Sequence, residues 1–536
     1  METYTPRPNL LPQLEPGEVT FTLATDRPLR SVAVAGTFNS WRGDQAPLQP
    51  IDAGRWQTTL PVSPGRHLYK YVLDGELWVP DPANPWRSED GQGNSCFTLT
   101  EAGELYIRQG AFGPTRPGPL FRDHAAAPSP AWLRDAVIYE LSARAVGGLS
   151  GVRERLPYLR DLGVTTLWLM PVQPVGLWNR SGSLGDPYAV RDFLAIDSAL
   201  GMPDDLRALV DEAHALGLRV ILDWTLNRSS SDNPLTAQHP DWFQCDLTGQ
   251  VTYQVPGRPA FAGFDFAQPG LRRYLIDALL QWVTRYDLDG LRFDDSDLVP
   301  LDFLREIRAA LTAVRPEIAL ISQSYDELHH LGACDLTYEG GVRELIRQIA
   351  RGVAAPRAIW RYWEESTYSF PRDALRMRWL EEKEQGRAFR YFGQELHAAA
   401  ASVLLTLDGV PMLLMGQEFE EPGWQSWETL FEPYVLGWPP TDSAILAHYR
   451  ALLRLRASHP ALRRGEVQFV SAGADQVVRY WQLLGAERLC ITVNLAGEWR
   501  TPDDHTVSVE PLYRHGPIAT EQGTLPPFGT IIEREL

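Results

Sequence analysis

Between Asp135 and Met415 one pattern recurs: a short apolar run, a longer amphipathic stretch, then another run. "DAVIYEL", "TTLWLM", "LRVILDW" and "LDGLRFD" are such runs, and "DDLRALVDEAHALG" and "PGLRRYLIDALLQWVTRY" are such stretches. The runs read as buried strands and the stretches as helices with one apolar face. Strands that alternate with helices run parallel, because each return to the same end of a sheet needs a long crossover. About eight strands can be counted, ending at "GVPMLLM" (409–415). That count and length suit a closed (β/α)8 TIM barrel better than an open sheet.

The flanks have a different period. "EVTFTLA", "SVAVAGTF", "RWQTTL", "HLYKYVL" and "SCFTLT", between residues 18 and 100, alternate as short strands with turn signals between them. They predict an immunoglobulin-like β-sandwich. Pro and Gly crowd "GAFGPTRPGPLFRDHAAAPSPAW" (110–132), which reads as a linker. After the helical "AILAHYRALLRLRAS", strand alternation resumes at Val467 and predicts a C-terminal antiparallel β domain. The chain of 536 residues thus divides into a sandwich (1–108), a linker (109–131), the barrel (132–440) and a connecting helix with its β domain (441–536). The barrel carries a short insertion after its third strand, at about 224–264.

Charge and cysteine use narrow the function classes. A net charge of −18 disfavours nucleic acid and anionic membrane as partners and leaves neutral ligands open. No apolar stretch is long enough for a membrane helix. The first residues, "METYTPRPNLLPQLEPGEVT", lack the basic and apolar regions of a secretory leader. The four cysteines (Cys96, Cys245, Cys334, Cys490) lie far apart without CxxC spacing. They argue against a metal knuckle or disulfide framework and for a reducing cytoplasm. No cofactor is implied; a calcium ion and a protein partner are left open. Only two of the 50 basic residues, Lys70 and Lys383, are lysine, which marks both as positions where arginine does not serve.

Two stretches carry a recognisable chemistry. "VAVAGTFNSW" (32–41), followed by "LYKYVLDGELWVPDPANPWRSEDGQGNS", resembles the glycogen-binding modules of carbohydrate-binding module family 48. The resemblance implies that Trp41, Lys70, Trp78 and Asn94 meet a glucan: two indole faces stack on sugar rings while an ammonium and an amide bind hydroxyls. "VILDWTLNRSS" (220–230) and "YDLDGLRFDDSD" (286–297) end the third and fourth barrel strands, where barrel enzymes place their chemistry. With "GVTTLWLMPV", "GDPYAVRDFLAID" and "GVPMLLMGQEF", they resemble the α-amylase family, glycoside hydrolase family 13. That family acts on α-linked glucose through three carboxylates.

Carried over position by position, the resemblance makes Asp294 the nucleophile, with Arg292 on the same strand face to hold it ionised. It makes Asp223, Asn227, Arg228, Tyr188, Asp192 and Lys383 substrate-binding positions. The acid/base position falls on Gln323 in "LISQSYDEL" and the third carboxylate on Glu384 in "MRWLEEKEQGRA". The family's two histidines have become Arg228 and Lys383. An amide has no labile proton, and Glu is a methylene longer than the usual Asp. Asp295, next along the strand, is expected on the opposite face; Asp297 and Glu327 lie in loops as candidate replacement acids. Three readings follow. The first is a pseudoenzyme that binds glycogen or maltooligosaccharide as an adaptor or sensor. The second is an active hydrolase or glucanotransferase with a rewired acid, and the third is a structural protein with both sugar sites dead.

Overall fold

The computed structural model describes residues 13–15, 18–25, 29–52, 54–84, 86, 88, 94–99, 105–107, 125–245, 249–253, 257–438, 443–503, 507–517 and 524–536. The first twelve residues, where a leader was sought, and 109–124 of the expected linker lie outside the described residues.

Eight parallel strands close the barrel in chain order. They are β1 (Ile138–Leu141), β2 (Thr166–Leu169), β3 (Arg219–Thr225), β4 (Gly290–Asp294), β5 (Ala319–Ser322), β6 (Leu336–Glu339), β7 (Leu375–Trp379) and β8 (Val410–Leu414). The helix Pro269–Tyr286 shows how the sequence builds one repeat. Pro269 opens it, where a helix N–H has no partner to lose. Leu271, Leu275, Leu279 and Trp282 bury one face against the barrel. Asp287, in a left-handed turn at φ 58°, ends it. Gly290 then opens β4, because a Cβ there would lie 2.7 Å from the Ala319 carbonyl of β5. Below it, Asp289 accepts from the Val220 N–H and pairs with Arg219 and Arg315, pinning the base of the barrel.

The insertion after β3 contains a two-stranded antiparallel ribbon, Arg228–Ser230 with Phe261–Gly263. The N-terminal region is a sandwich. One sheet pairs Gln13–Glu15, Glu18–Ala24, Arg55–Pro61 and Gln49–Asp52; the other pairs Val32–Gly36, Gly65–Leu73, Ser95–Leu99 and Leu105–Tyr106, with Leu77–Val79 at the edge. Its core is Phe21, Tyr69, Tyr71 and Phe97 among aliphatic side chains. The C-terminal sheet runs Glu466–Val470, Val477–Leu484, Glu487–Asn494, Thr530–Glu535, Val509–His515 and packs on the barrel's last helices.

The sandwich sits over the end of the barrel where β4 and β5 finish. The Arg66 backbone N–H donates to Asp326, and the Thr98 hydroxyl donates to Glu327 at 3.4 Å, both in the loop after β5. Arg42 donates to the Cys245 carbonyl in the β3 insertion at 3.2 Å. No helix among the described residues is long and apolar enough to cross a membrane.

Candidate active site

Arg292 and Asp294 are two apart on β4 and so share its inner face. One guanidinium nitrogen of Arg292 lies 2.6 Å from Asp294 and 2.9 Å from Asp223 on neighbouring β3, so one cation ties two anions across adjacent strands. Trp168 and Tyr338 flank it, their ring centres 5.0 and 5.7 Å away. Asp223 is closed off from solvent, its second oxygen accepting from Tyr188 at 2.8 Å and from Trp168 at 3.2 Å.

Both oxygens of Asp294 are taken. Oδ1 receives Arg292, with the Lys383 ammonium 3.6 Å away, and Oδ2 receives Arg228 at 2.6 Å. The side chain is almost wholly buried, which by itself would raise its pKa. Arg292, Arg228 and Lys383 outweigh that and hold the carboxyl well below the ordinary Asp value. Arg228 also reaches Asp295 at 2.6 Å, Asn227 at 2.9 Å and the Tyr253 hydroxyl at 3.3 Å, and it lies over the Phe261 ring.

Gln323 stands just past β5. Its carbonyl oxygen accepts from the Asp295 backbone N–H at 3.0 Å and its amide nitrogen donates to Glu384 at 3.3 Å. Lys383, 2% exposed, sits among Asp294, Glu382 and Glu384 at 3.4–3.6 Å and over the Tyr188 ring. Burial and Arg292 push this ammonium down, but the three carboxylates win and hold it above the ordinary Lys value. Asp294, Asp295, Asp297, Gln323, Lys383 and Glu384 line one cavity of about 560 Å³, a volume usual for ligand sites.

Comparison with known proteins bears on this geometry. Residues 138–246 match the model of the alpha amylase catalytic domain, and residues 21–102 match the glycogen recognition site of AMP-activated protein kinase. A maltogenic α-amylase, AmyB from Thermotoga neapolitana, has 30% identity and a TM-score of 0.64, over 69% of this chain and 87% of that one. The chain belongs to the α-amylase family. Among curated relatives, alpha-amylase MalA of Haloarcula japonica is 28% identical over 69% of this chain and 57% of its own length. A cyclomaltodextrinase of Geobacillus thermopakistaniensis is 25% identical over 66% of this chain and 63% of its own length. The chain therefore spans about three fifths of the length of these curated relatives.

Within this family member, the structure divides the positions read from the sequence. Arg228, Tyr188 and Lys383 line the cavity. Asp223 and Asn227 do not: they lie beneath it, Asp223 accepting from Arg292 and Asn227 donating to the Tyr253 hydroxyl. Asp192 is displaced too; it is exposed and caps the Leu194 N–H at 2.8 Å. Asp186, in the same "GDPYAVRDFLAID" stretch, faces the cavity instead.

Asp295 also corrects the sequence reading. Strand geometry predicts that it turns away from Asp294, but β4 ends one residue earlier. Asp295 has left-handed backbone at φ 43°, which swings its carboxylate round to Arg228. Glu327 is buried against the sandwich, outside the cavity. In the N-terminal module, Trp41 and Trp78 form a tilted pair, ring centres 6.3 Å apart. Asn94 is buried, and Lys70 lies on the Gly65–Leu73 strand opposite Ala35.

Sequence reasoning missed Tyr253, Arg258, Phe261, Tyr325 and Trp427, which also line the cavity. They come from the β3 insertion and the loops after β5 and β8, where no period marks which side chain turns inward. It also missed Glu140 on β1, fully buried, with neither carboxyl oxygen hydrogen-bonded among the described residues. Burial pushes it up to about 8, against the pull of Lys383. No three His, Cys, Asp or Glu side chains gather to hold a metal ion among the described residues.

Proposed function

We propose that the protein binds an α-glucan, glycogen or a maltooligosaccharide, without hydrolysing it, and serves as an adaptor or sensor. The observation that carries this is the state of Asp294, whose two oxygens are each held by a guanidinium while the acid position is an amide. A retaining glycosidase needs a carboxylate oxygen free to attack C1 and a carboxylic acid to protonate the leaving oxygen. Here the first is covered by Arg228 and the second is absent at Gln323. Loss of general acid catalysis alone costs about 10²–10⁴ in rate. Gln323 and Glu384 are matched as donor and acceptor, so the rim is rebuilt as a set and not damaged at one point. Support for the ligand comes from the N-terminal glycogen-recognition match and from the family.

A second reading has one observation in its favour. Asp297 lines the same cavity, and burial pushes its carboxyl up to about 6, which leaves a protonated fraction near neutrality. In that reading Asp297 supplies the proton and the chain is a hydrolase or glucanotransferase with a relocated acid. The deciding assay is reducing-sugar release from maltoheptaose by the wild type, Asp294→Asn and Asp297→Asn, beside a binding isotherm for the same sugar. We expect binding and no turnover. Wild-type turnover lost in both variants would establish the relocated acid. Neither binding nor turnover would leave a structural role.

No cofactor is invoked. We also assign the chain to a reducing cytoplasm: its four cysteines lie far apart without CxxC spacing, and Cys334 and Cys490 are buried.

A further inference from the structure

The N-terminal module contributes to the wall of the barrel's cavity. Trp41, Arg66, Ser88 and Asn94 line the same space as Asp294 and Gln323. Trp41 therefore has two neighbourhoods. On one side it borders the cavity; on the other it pairs with Trp78, which is 37% exposed and does not line the cavity. The two rings are inclined at 38°, an angled pair instead of one flat sheet. An α-1,4-linked chain turns from each glucose to the next, so successive sugar faces meet an angled pair better than a plane. The module is held in this position by Arg66 on Asp326, Thr98 on Glu327 and Arg42 on Cys245, three contacts on two separate loops.

We propose that Trp78, Trp41 and the barrel cavity form one continuous α-glucan site, in which the module is the outer part of the barrel's own groove and not a second, independent sugar-binding domain. This rests on the glucan-binding reading above and names its ligand: a linear maltooligosaccharide long enough to reach from the indole pair into the cavity. Asn94 and Ser88 on the module side, and Gln323 and Glu384 on the barrel side, supply hydrogen-bonding groups for hydroxyls along that path.

The test is calorimetric titration of the full chain with maltotriose and maltoheptaose. One site per chain is expected, with maltoheptaose bound more tightly. Trp41→Ala and Trp78→Ala should each weaken maltoheptaose about tenfold, the scale of one aromatic stack, and leave Trp78→Ala and wild type nearly equal for maltotriose. Glu384→Ala, inside the barrel, should weaken the same single isotherm. Trp78 lies on the surface, so its variant keeps the test valid if Trp41→Ala does not fold; circular dichroism checks both. Two sites per chain, one lost in the tryptophan variants and the other in Glu384→Ala, would overturn the continuous groove while glucan binding stands. No heat with either sugar would overturn both the groove and the functional reading beneath it.

Discussion

The base and the rim of the cavity are built differently. At the base, Asp223 and Arg292 are closed off from solvent, Asp294 is almost wholly buried at the cavity floor, and the three are joined at 2.6–2.9 Å. At the rim, Gln323 is half-buried, the Glu384 side chain is half-exposed, and their contact is 3.3 Å. Removing one member of a buried charge set leaves its partner unpaired, which costs far more than trimming a solvated contact. The base therefore has a structural reason to be what it is. Asp294 is the anion between Arg292 and Arg228, and its presence is not by itself a sign of turnover. The rim pair is free of that constraint, whereas Arg228 and Lys383 are buried against Asp294 and belong to the base.

The largest effect should come from changing the rim pair together with the two buried cations above Asp294. Gln323→Glu alone sets a carboxyl against Glu384 and leaves Arg228 over Asp294, so reducing-sugar release from maltoheptaose should barely rise. On the proposed reading, Arg228→His, Gln323→Glu, Lys383→His and Glu384→Asp together would uncover Asp294 and supply a carboxylic acid at the Gln323 position. They should raise release by roughly 10²–10⁴, because groups that act as a unit are not additive. A quadruple variant as inert as wild type would mean that the base, too, is unfit for catalysis.

Next in size is the stability of the base. Arg292→Met should cost about 3–5 kcal/mol in denaturant unfolding, because Asp223 and Asp294 lose their shared cation. Gln323→Ala should cost less than about 1 kcal/mol. Equal losses would erase the distinction between the two layers.

A smaller effect tests how deep the charged layer runs. Glu140 titrates at about 8 in the folded chain and near the ordinary Glu value, about 4.3, when unfolded. Between these values the folded chain holds a proton that the unfolded chain has released. The penalty is absent below about pH 4.3, grows as pH rises, and is complete above about 8. The melting temperature should fall across that window, and Glu140→Gln should flatten the fall. An unchanged slope would mean that Glu140 is ionised at neutrality. The smallest effect belongs to Glu384→Gln, which should leave unfolding free energy within about 0.5 kcal/mol of wild type.

The barrel was legible because strand runs and helical stretches alternate with different periods, and the sandwich because its strands alternate at period two. At the site, Asp294, Arg292, Arg228 and Lys383 could be located because they sit at strand ends or in short motifs. What failed was local geometry. Asp295 defeated strand periodicity by one left-handed residue. Asp223 and Asn227 carry the right motif but lie a layer below the cavity, and depth is not written in spacing. The contribution of Trp41 and Asn94 to the barrel's cavity depends on how two domains dock, which neither domain's own pattern encodes.

The loop after β5 belongs to both domains at once. Gln323, at its start, braces Asp295; Ser324 donates to Asp297; Asp326 and Glu327 receive the sandwich. A segment with partners on both sides couples them, and such coupling is reciprocal. A ligand that orders this loop from within the cavity is expected also to tighten the seating of the module, and loosening the module to slacken the cavity. The sandwich cannot then be exchanged like an interchangeable tag. A graft from another protein without residues matching Arg66 and Thr98 would leave Asp326 and Glu327 without these partners.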